Sequence, residues 1–181
     1  MKLTGKVIWI TGLSGAGKST LANEISMCST SKEQPIVKLD GDELREVFGA
    51  AAKNIQNHGR EGRLALAMQY SKLCQIIASQ GHTVVIATIS MFREIYLWNC
   101  ENLPGYTEIY LNVPVEELRS RDPKGIYRAF DNGELKHVAG LDLSIDAPEM
   151  PDLVIKYKAG QSMAKIAEEI VNRFIIIEKE P

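Results

Sequence analysis

Residues 12–20 read GLSGAGKST, directly behind an unbroken β-branched run, KVIWIT, at residues 6–11. A strand, then G-x-x-x-x-G-K-[S/T], then a helix is the pattern of a phosphate-binding loop. Its glycines let the backbone turn so that successive N–H groups converge on phosphate oxygens, and the following helix adds its positive end. An apolar helical pattern with Leu21 and Ile25 does follow. Gly12, Leu13, Ser14, Gly15, Ala16, Gly17, Lys18, Ser19 and Thr20 are therefore the candidate phosphate-binding residues. Lys18 is expected to reach the β- and γ-phosphates and to act in catalysis, and the Ser19 hydroxyl to hold a metal ion. The motif implies ATP or GTP together with Mg²⁺.

Further apolar runs at 36–39, 83–89, 108–113 and 153–156 alternate with helical patterns at 18–28, 59–79, 91–99, 115–121 and 162–175. That alternation predicts an α/β fold of the P-loop NTPase type, a mainly parallel five-stranded sheet with helices on both faces. The 181 residues, 45% of them hydrophobic, fit a single domain over 1–181. A net charge of −2 offers no global attraction to nucleic acid or anionic membrane, so neither is expected as a partner. No apolar run approaches the ~18 residues of a membrane span, and the N-terminus lacks signal-peptide character, so a cytoplasmic protein is expected. Cys28, Cys74 and Cys100 are odd in number and far apart, which predicts reduced thiols.

In such sheets ligands bind outside the carboxyl ends of the strands. The second strand ends in Asp40-Gly41-Asp42. Transfer to a hydroxyl needs one acid to orient it and take its proton, and another to help hold hydrated magnesium; Asp40 and Asp42 are the candidates for both. Asp42 can also serve as N-cap of a helix starting at Glu43. Arg45 lies one turn beyond Asp42, and Arg60 and Arg63 open the next helix. Three guanidinium forks near the reacting edge suit an anionic acceptor.

The same residues resemble the adenylylsulfate kinases, which phosphorylate the 3′-hydroxyl of adenosine 5′-phosphosulfate with MgATP. GLSGAGKST looks like the family's phosphate loop and LDGDELR (39–45) like its LDGDNVR. RDPKGIY (121–127), GELK (133–136), Gly140 and APEMPDLVI (147–155) look like its lid and closing strand, and Ile89-Ser90 like its Ile-Ser. The resemblance runs from about residue 6 to 155. It implies Asp42 as the candidate base with Asp40 assisting the metal, and a lid over about 121–141. It also implies Arg45 and Arg60 on the acceptor's anionic groups and Ser90 in that pocket. Lys136 would reach across from the lid, while Arg121 and Lys124 would be lid cations near ATP. A homodimer is expected on the same ground.

The departures from the family pattern gather on the acceptor side. Ile55 and Val138 stand where the family has two phenylalanines that clamp adenine, and Arg63 stands in place of an asparagine. Glu43, Thr88 and Met91 also differ, whereas the phosphate loop keeps its pattern. Loss of both stacking rings with gain of an arginine predicts a different acceptor. A cytidine diphosphoramidate acceptor, used in decorating capsular polysaccharide, fits a pocket of Ile55, Ile89, Val138 and Arg63; adenosine 5′-phosphosulfate is the alternative. A nucleotide-binding switch and a small-metabolite kinase are the rival classes, disfavoured by the paired aspartates and by the 121–155 stretch. Trp9 is expected in the core, and Ile95, Tyr96 and Trp98 as a cover for the sheet or a subunit contact. The apolar run 174–177 is expected either to dock back on the sheet or to enter a dimer interface.

Overall fold

The computed structural model describes residues 5–48 and 59–176. Within them, β1 (Val7–Thr11), β2 (Ile36–Asp40), β3 (Thr83–Ala87), β4 (Tyr106–Asn112) and β5 (Leu153–Lys156) form one parallel sheet in the order β2-β3-β1-β4-β5. The helices are α1 (Lys18–Ser31), α2 (Gly41–Val47), α3 (Arg60–Ala78), α4 (Arg93–Asn102), α5 (Val115–Arg121), α6 (Ile126–Asp131) and α7 (Met163–Ile170), the last continued by a π-turn over Val171–Ile175. Ile55 lies outside the described residues.

The central strands are apolar without a break because both their faces are covered. On β1, Ile8 and Ile10 enter a core shared with α1, α5, α6 and α7, while Val7 and Trp9 enter a second core shared with α2, α3 and α4. Trp9 is fully buried, as expected. Ile95 is buried and Tyr96 and Trp98 pack against the cores, so this stretch covers the sheet. The described part of the C-terminal run, 174–176, docks back: Ile175 is buried, Phe174 and Ile176 pack on the first core, and the Lys6 ammonium donates to the Phe174 carbonyl at 2.9 Å, while Ile177 lies outside the described residues.

Two local expectations need correction, and one helix is new. The cap of α2 is Asp40, whose carboxylate accepts from the Asp42 N–H at 2.8 Å; the helix starts at Gly41, so Asp42 is already inside it. β3 stops at Ala87 rather than Ile89, because Ser90 turns the chain at φ +27°. The short helix α6 was not apparent in the sequence: it spans six residues, behind Gly125 at φ +67°.

Glu108 of β4 sits opposite Trp9 and is 7% exposed. Its Oε1, the Trp9 Nε1, the Tyr106 hydroxyl and both ends of the Asn99 side chain are buried without a hydrogen-bond partner. Burial pushes the Glu108 carboxyl from 4.5 up to about 7, with Asp152 adding to the rise against the pull of Tyr106. A raised carboxyl pKa contributes stability that is full below pH 4.5 and lost as pH rises through about 7. Thermal unfolding followed from pH 5 to 8 should show Tm falling over that range. Glu108→Gln, which keeps the neutral shape, should flatten the slope and melt about 5 °C above the parent protein at pH 8.

Candidate active site

The first strand hands its chain to the phosphate loop at the sheet's carboxyl edge. Gly12 (φ +151°) leaves no room for a side chain, since a Cβ there would come 2.8 Å from the Leu111 carbonyl oxygen. The loop closes through the Ala16 N–H on the Leu13 carbonyl at 3.2 Å, and α1 begins at Lys18 behind Gly17 in the left-handed conformation. The first N–H groups of α1 therefore open onto the loop's concave side. Lys18 folds back over it, its ammonium 2.7 Å from the Leu13 carbonyl oxygen. Burial, with the Lys124 charge nearby, brings the Lys18 pKa from 10.5 down to about 8, against the opposing pull of Asp42 and Asp40.

Asp40 joins this loop to the second strand. One of its carboxylate oxygens accepts from the Ser19 hydroxyl at 2.5 Å and the other from the Asp42 N–H. Asp42 itself is exposed to the cleft, held between the Lys124 ammonium and an Arg45 guanidinium nitrogen at 3.5 Å. Partial burial pushes the Asp42 carboxyl up, but Lys124, Arg45 and Lys18 together outweigh it and hold its pKa below the ordinary carboxylate value.

A cleft of about 860 Å³ runs from the phosphate loop, past Asp40 and Asp42, to Lys124, Lys136 and Val138. It meets a smaller cavity of about 180 Å³ reaching between α3 and the end of β3. Arg45, Arg63, Thr88, Ile89 and Ala139 line both. Ser90 borders the smaller cavity, where its hydroxyl and that of Thr88 are buried 2.7 Å apart. Arg63 donates to the His137 carbonyl at 2.7 Å and so ties α3 to the segment after α6. Burial and the neighbouring Arg45 lower its pKa from the usual arginine value. Val138 is buried, its N–H held by Asp142.

Arg60, expected on the acceptor, and Arg121, expected as a lid cation, both stand outside the main cleft. Arg60 lines neither cavity: its guanidinium binds both Glu94 oxygens at 2.9 and 3.0 Å and Asp146 at 2.8 Å, and lies 5.2 Å from the Phe92 ring centroid. Two carboxylates at the start of α4 and in the loop before β5 hold it there. Arg121 pairs with Glu117 at 2.7 Å and lies 4.5 Å from the Tyr157 ring centroid. With Ala16, Tyr157, Gly160 and Met163 it borders a third cleft of about 150 Å³ behind the phosphate loop. The sequence reading missed Tyr70, Phe92, Tyr127 and Asp142 at this edge. Tyr127 closes the RDPKGIY motif and was within reach; the others carry no local signal, since tertiary packing alone brings them to this edge.

Comparison with known proteins identifies the family. The family model described as adenylylsulphate kinase matches residues 4–156. A cytidine diphosphoramidate kinase of Campylobacter jejuni is 37% identical over 176 residues, covering 97% of this chain and 100% of that protein. An adenylyl-sulfate kinase of Deinococcus deserti is 34% identical over 155 residues, covering 84% and 82%. The APS kinase CysC of Mycobacterium tuberculosis, solved with AMPPNP and APS, superposes with a TM-score of 0.83 at 27% identity, covering 93% of this chain and 96% of that one. The protein belongs to the adenylylsulphate kinase family and is an ATP-dependent phosphotransferase.

Proposed function

We propose that the protein transfers the γ-phosphoryl group of ATP to the 3′-hydroxyl of cytidine diphosphoramidate. One observation carries the reading: a cleft runs from the phosphate loop past Asp42 into a small cavity rimmed by Arg45, Arg63 and a buried pair of hydroxyls. That shape suits a nucleotide whose anionic linkage meets the guanidinium groups while its base enters the cavity. Two features favour a cytidine compound over adenosine 5′-phosphosulfate. Val138, where the family resemblance implies a stacking ring, is aliphatic, and the relative named for cytidine diphosphoramidate matches over its whole length.

In the proposed reaction Asp42 receives the acceptor hydroxyl. Both Asp40 oxygens are engaged inside the joint, by Ser19 and the Asp42 N–H, whereas the Asp42 carboxylate meets, among the described residues, only the cleft-side cations Lys124 and Arg45. The acceptor oxygen attacks the γ-phosphorus, the bond to the β–γ bridging oxygen breaks, and ADP departs with that electron pair. A depressed pKa makes Asp42 a weak base. This is compatible with a loose transition state, in which the nucleophile keeps its proton until late and orientation matters more than deprotonation. Lys18 and the α1 amides hold the transferring phosphoryl oxygens, and Lys124 and Lys136 approach from the lid side. Arg121 borders the third cleft, which suits the adenine end of ATP. Arg60 steadies Phe92 beside the cavity rather than touching the acceptor.

The Ser19 hydroxyl and Asp40 carboxylate form a hard oxygen pair beside the loop, a donor set that fits Mg²⁺, which takes its remaining ligands from water and phosphate. Bound there, Mg²⁺ would neutralise charge on the β- and γ-phosphates. The reading also includes action in the cytoplasm, in capsule decoration, by a homodimer; light scattering that finds only monomer at micromolar concentration removes the last element.

Acceptor-dependent ADP release with MgATP tests the assignment. Cytidine 5′-diphosphoramidate should exceed adenosine 5′-phosphosulfate by more than about tenfold in kcat/KM; the reverse order would make this an adenylylsulfate kinase. Arg63→Asn should raise KM for the cytidine compound about tenfold or more and narrow the preference. Asp42→Asn should lower kcat roughly 10²–10³-fold while ATP binding survives; an unchanged kcat reassigns the base. Lys18→Met should abolish stabilisation by ATP. In the nucleotide-free protein it should nonetheless raise Tm at pH 7, because a lysine whose pKa falls to about 8 on folding disfavours the fold wherever it is charged. A lower Tm for that variant would mean that burial of the Lys18 charge does not oppose folding.

A further inference from the structure

The segment after α5 does more than cover the cleft: it grips the phosphate loop at one peptide bond. Tyr127, in the first turn of α6, is 2% exposed, and its hydroxyl donates to the Ser14 carbonyl at 3.0 Å. Its position is set from below. The Asp122 carboxylate accepts from the Tyr127 N–H at 3.1 Å and the Arg128 N–H at 2.9 Å, and Arg119 pairs with Asp131 at the other end of α6. The same segment presses on the next residue of the loop. A Cβ on Gly15 would lie 3.4 Å from Pro123 and 3.8 Å from Leu118, and Gly15 itself sits at φ +77°.

The Ser14 carbonyl and the Gly15 N–H belong to one peptide plane, and no peptide bond among the described residues is cis. In a trans peptide these two groups point in opposite directions. A donor to the carbonyl on the lid side therefore turns the Gly15 N–H toward the concave side of the loop, where Lys18 and the first amides of α1 also open. Buried phenols usually take a partner, and this one has taken the carbonyl whose orientation aims a phosphate-binding amide. Without that tether, glycine at position 15 gives the plane freedom to rotate, since glycine tolerates both signs of φ. Burial and Asp122 push the Tyr127 phenol above its usual pKa, so the hydroxyl stays a donor.

We propose that Tyr127 is a positioning residue that holds the Ser14–Gly15 peptide plane with the Gly15 amide aimed at the nucleotide's phosphates. It acts through the loop and does not itself touch the nucleotide, and it couples the order of the segment after α5 to phosphate binding. The inference rests on the loop being the ATP phosphate site.

Tyr127→Phe tests it by removing the hydroxyl and leaving the ring in its packing. The dissociation constant of MgADP, measured by titration calorimetry, should rise about tenfold, as loss of one oriented hydrogen bond to phosphate predicts. KM for ATP should rise alike and KM for the acceptor should stay unchanged. A merely structural role would lower Tm and leave both constants at wild-type values in the folded enzyme; that result overturns the proposal. Should the variant not fold, the Gly15 amide of the ¹⁵N-labelled wild-type protein decides: its proton should shift downfield on MgADP addition, and an unmoved Gly15 resonance overturns the proposal. Failure of wild-type protein to bind MgADP at all would instead remove the reading of the loop.

Discussion

The Asp40 carboxylate is the joint on which the reacting edge depends. It ends β2, caps α2 by accepting the Asp42 N–H, and accepts the Ser19 hydroxyl from α1. One side chain thus fixes the spacing between the phosphate loop and the acceptor-side helix. A parallel sheet makes this possible, because β1, β2 and β3 all point their carboxyl ends to the same side. β3 then supplies the Thr88–Ser90 turn, with the Ile89 carbonyl held by the Thr11 hydroxyl at 2.5 Å. Phosphate loop, carboxylates and cavity wall are therefore neighbours by topology before any side chain is chosen.

Several charged groups of the cleft are already engaged by the fold. Asp42 lies between Lys124 and Arg45, and Arg63 is tied to the His137 carbonyl. Lys18 is held with its charge opposed, since burial and Lys124 disfavour it and its ammonium contacts a neutral carbonyl. A polyphosphate relieves that opposition, because it brings negative charge beside the ammonium. Arg60 has the opposite character: Glu94 and Asp146 raise its pKa further and keep its guanidinium out of the cavity. Two arginines of similar sequence setting, three positions apart, therefore end in different environments.

The lid-side segment meets the loop at several independent points: Tyr127 on the Ser14 carbonyl, Pro123 against Gly15, and Gly140 against Leu13, where a Cβ would come within 2.9 Å of the leucine side chain. Asp142 organises the approach by accepting the N–H groups of His137 and Val138 at 2.8 and 2.6 Å, with His137 at φ +60°. These are backbone-directed contacts, which define geometry more tightly than the exposed ion pair of Lys124 with Asp42.

Much of this was legible in the linear chain. The strand–GLSGAGKST–helix order determined the phosphate loop, and unbroken β-branched runs separated by amphipathic segments determined a parallel sheet covered on both faces, because those patterns follow from local backbone chemistry and from periodicity. DGD after a strand likewise marked the reacting edge. Local sequence was silent on which aspartate caps α2 and which faces the cleft, on Arg60 turning to Glu94 and Asp146 while Arg63 lines the cavity, and on Tyr127 reaching Ser14. The arginine and tyrosine outcomes depend on partners 34 to 113 positions away in the chain, and a side chain's choice among such partners is made only when packing brings them within hydrogen-bond reach.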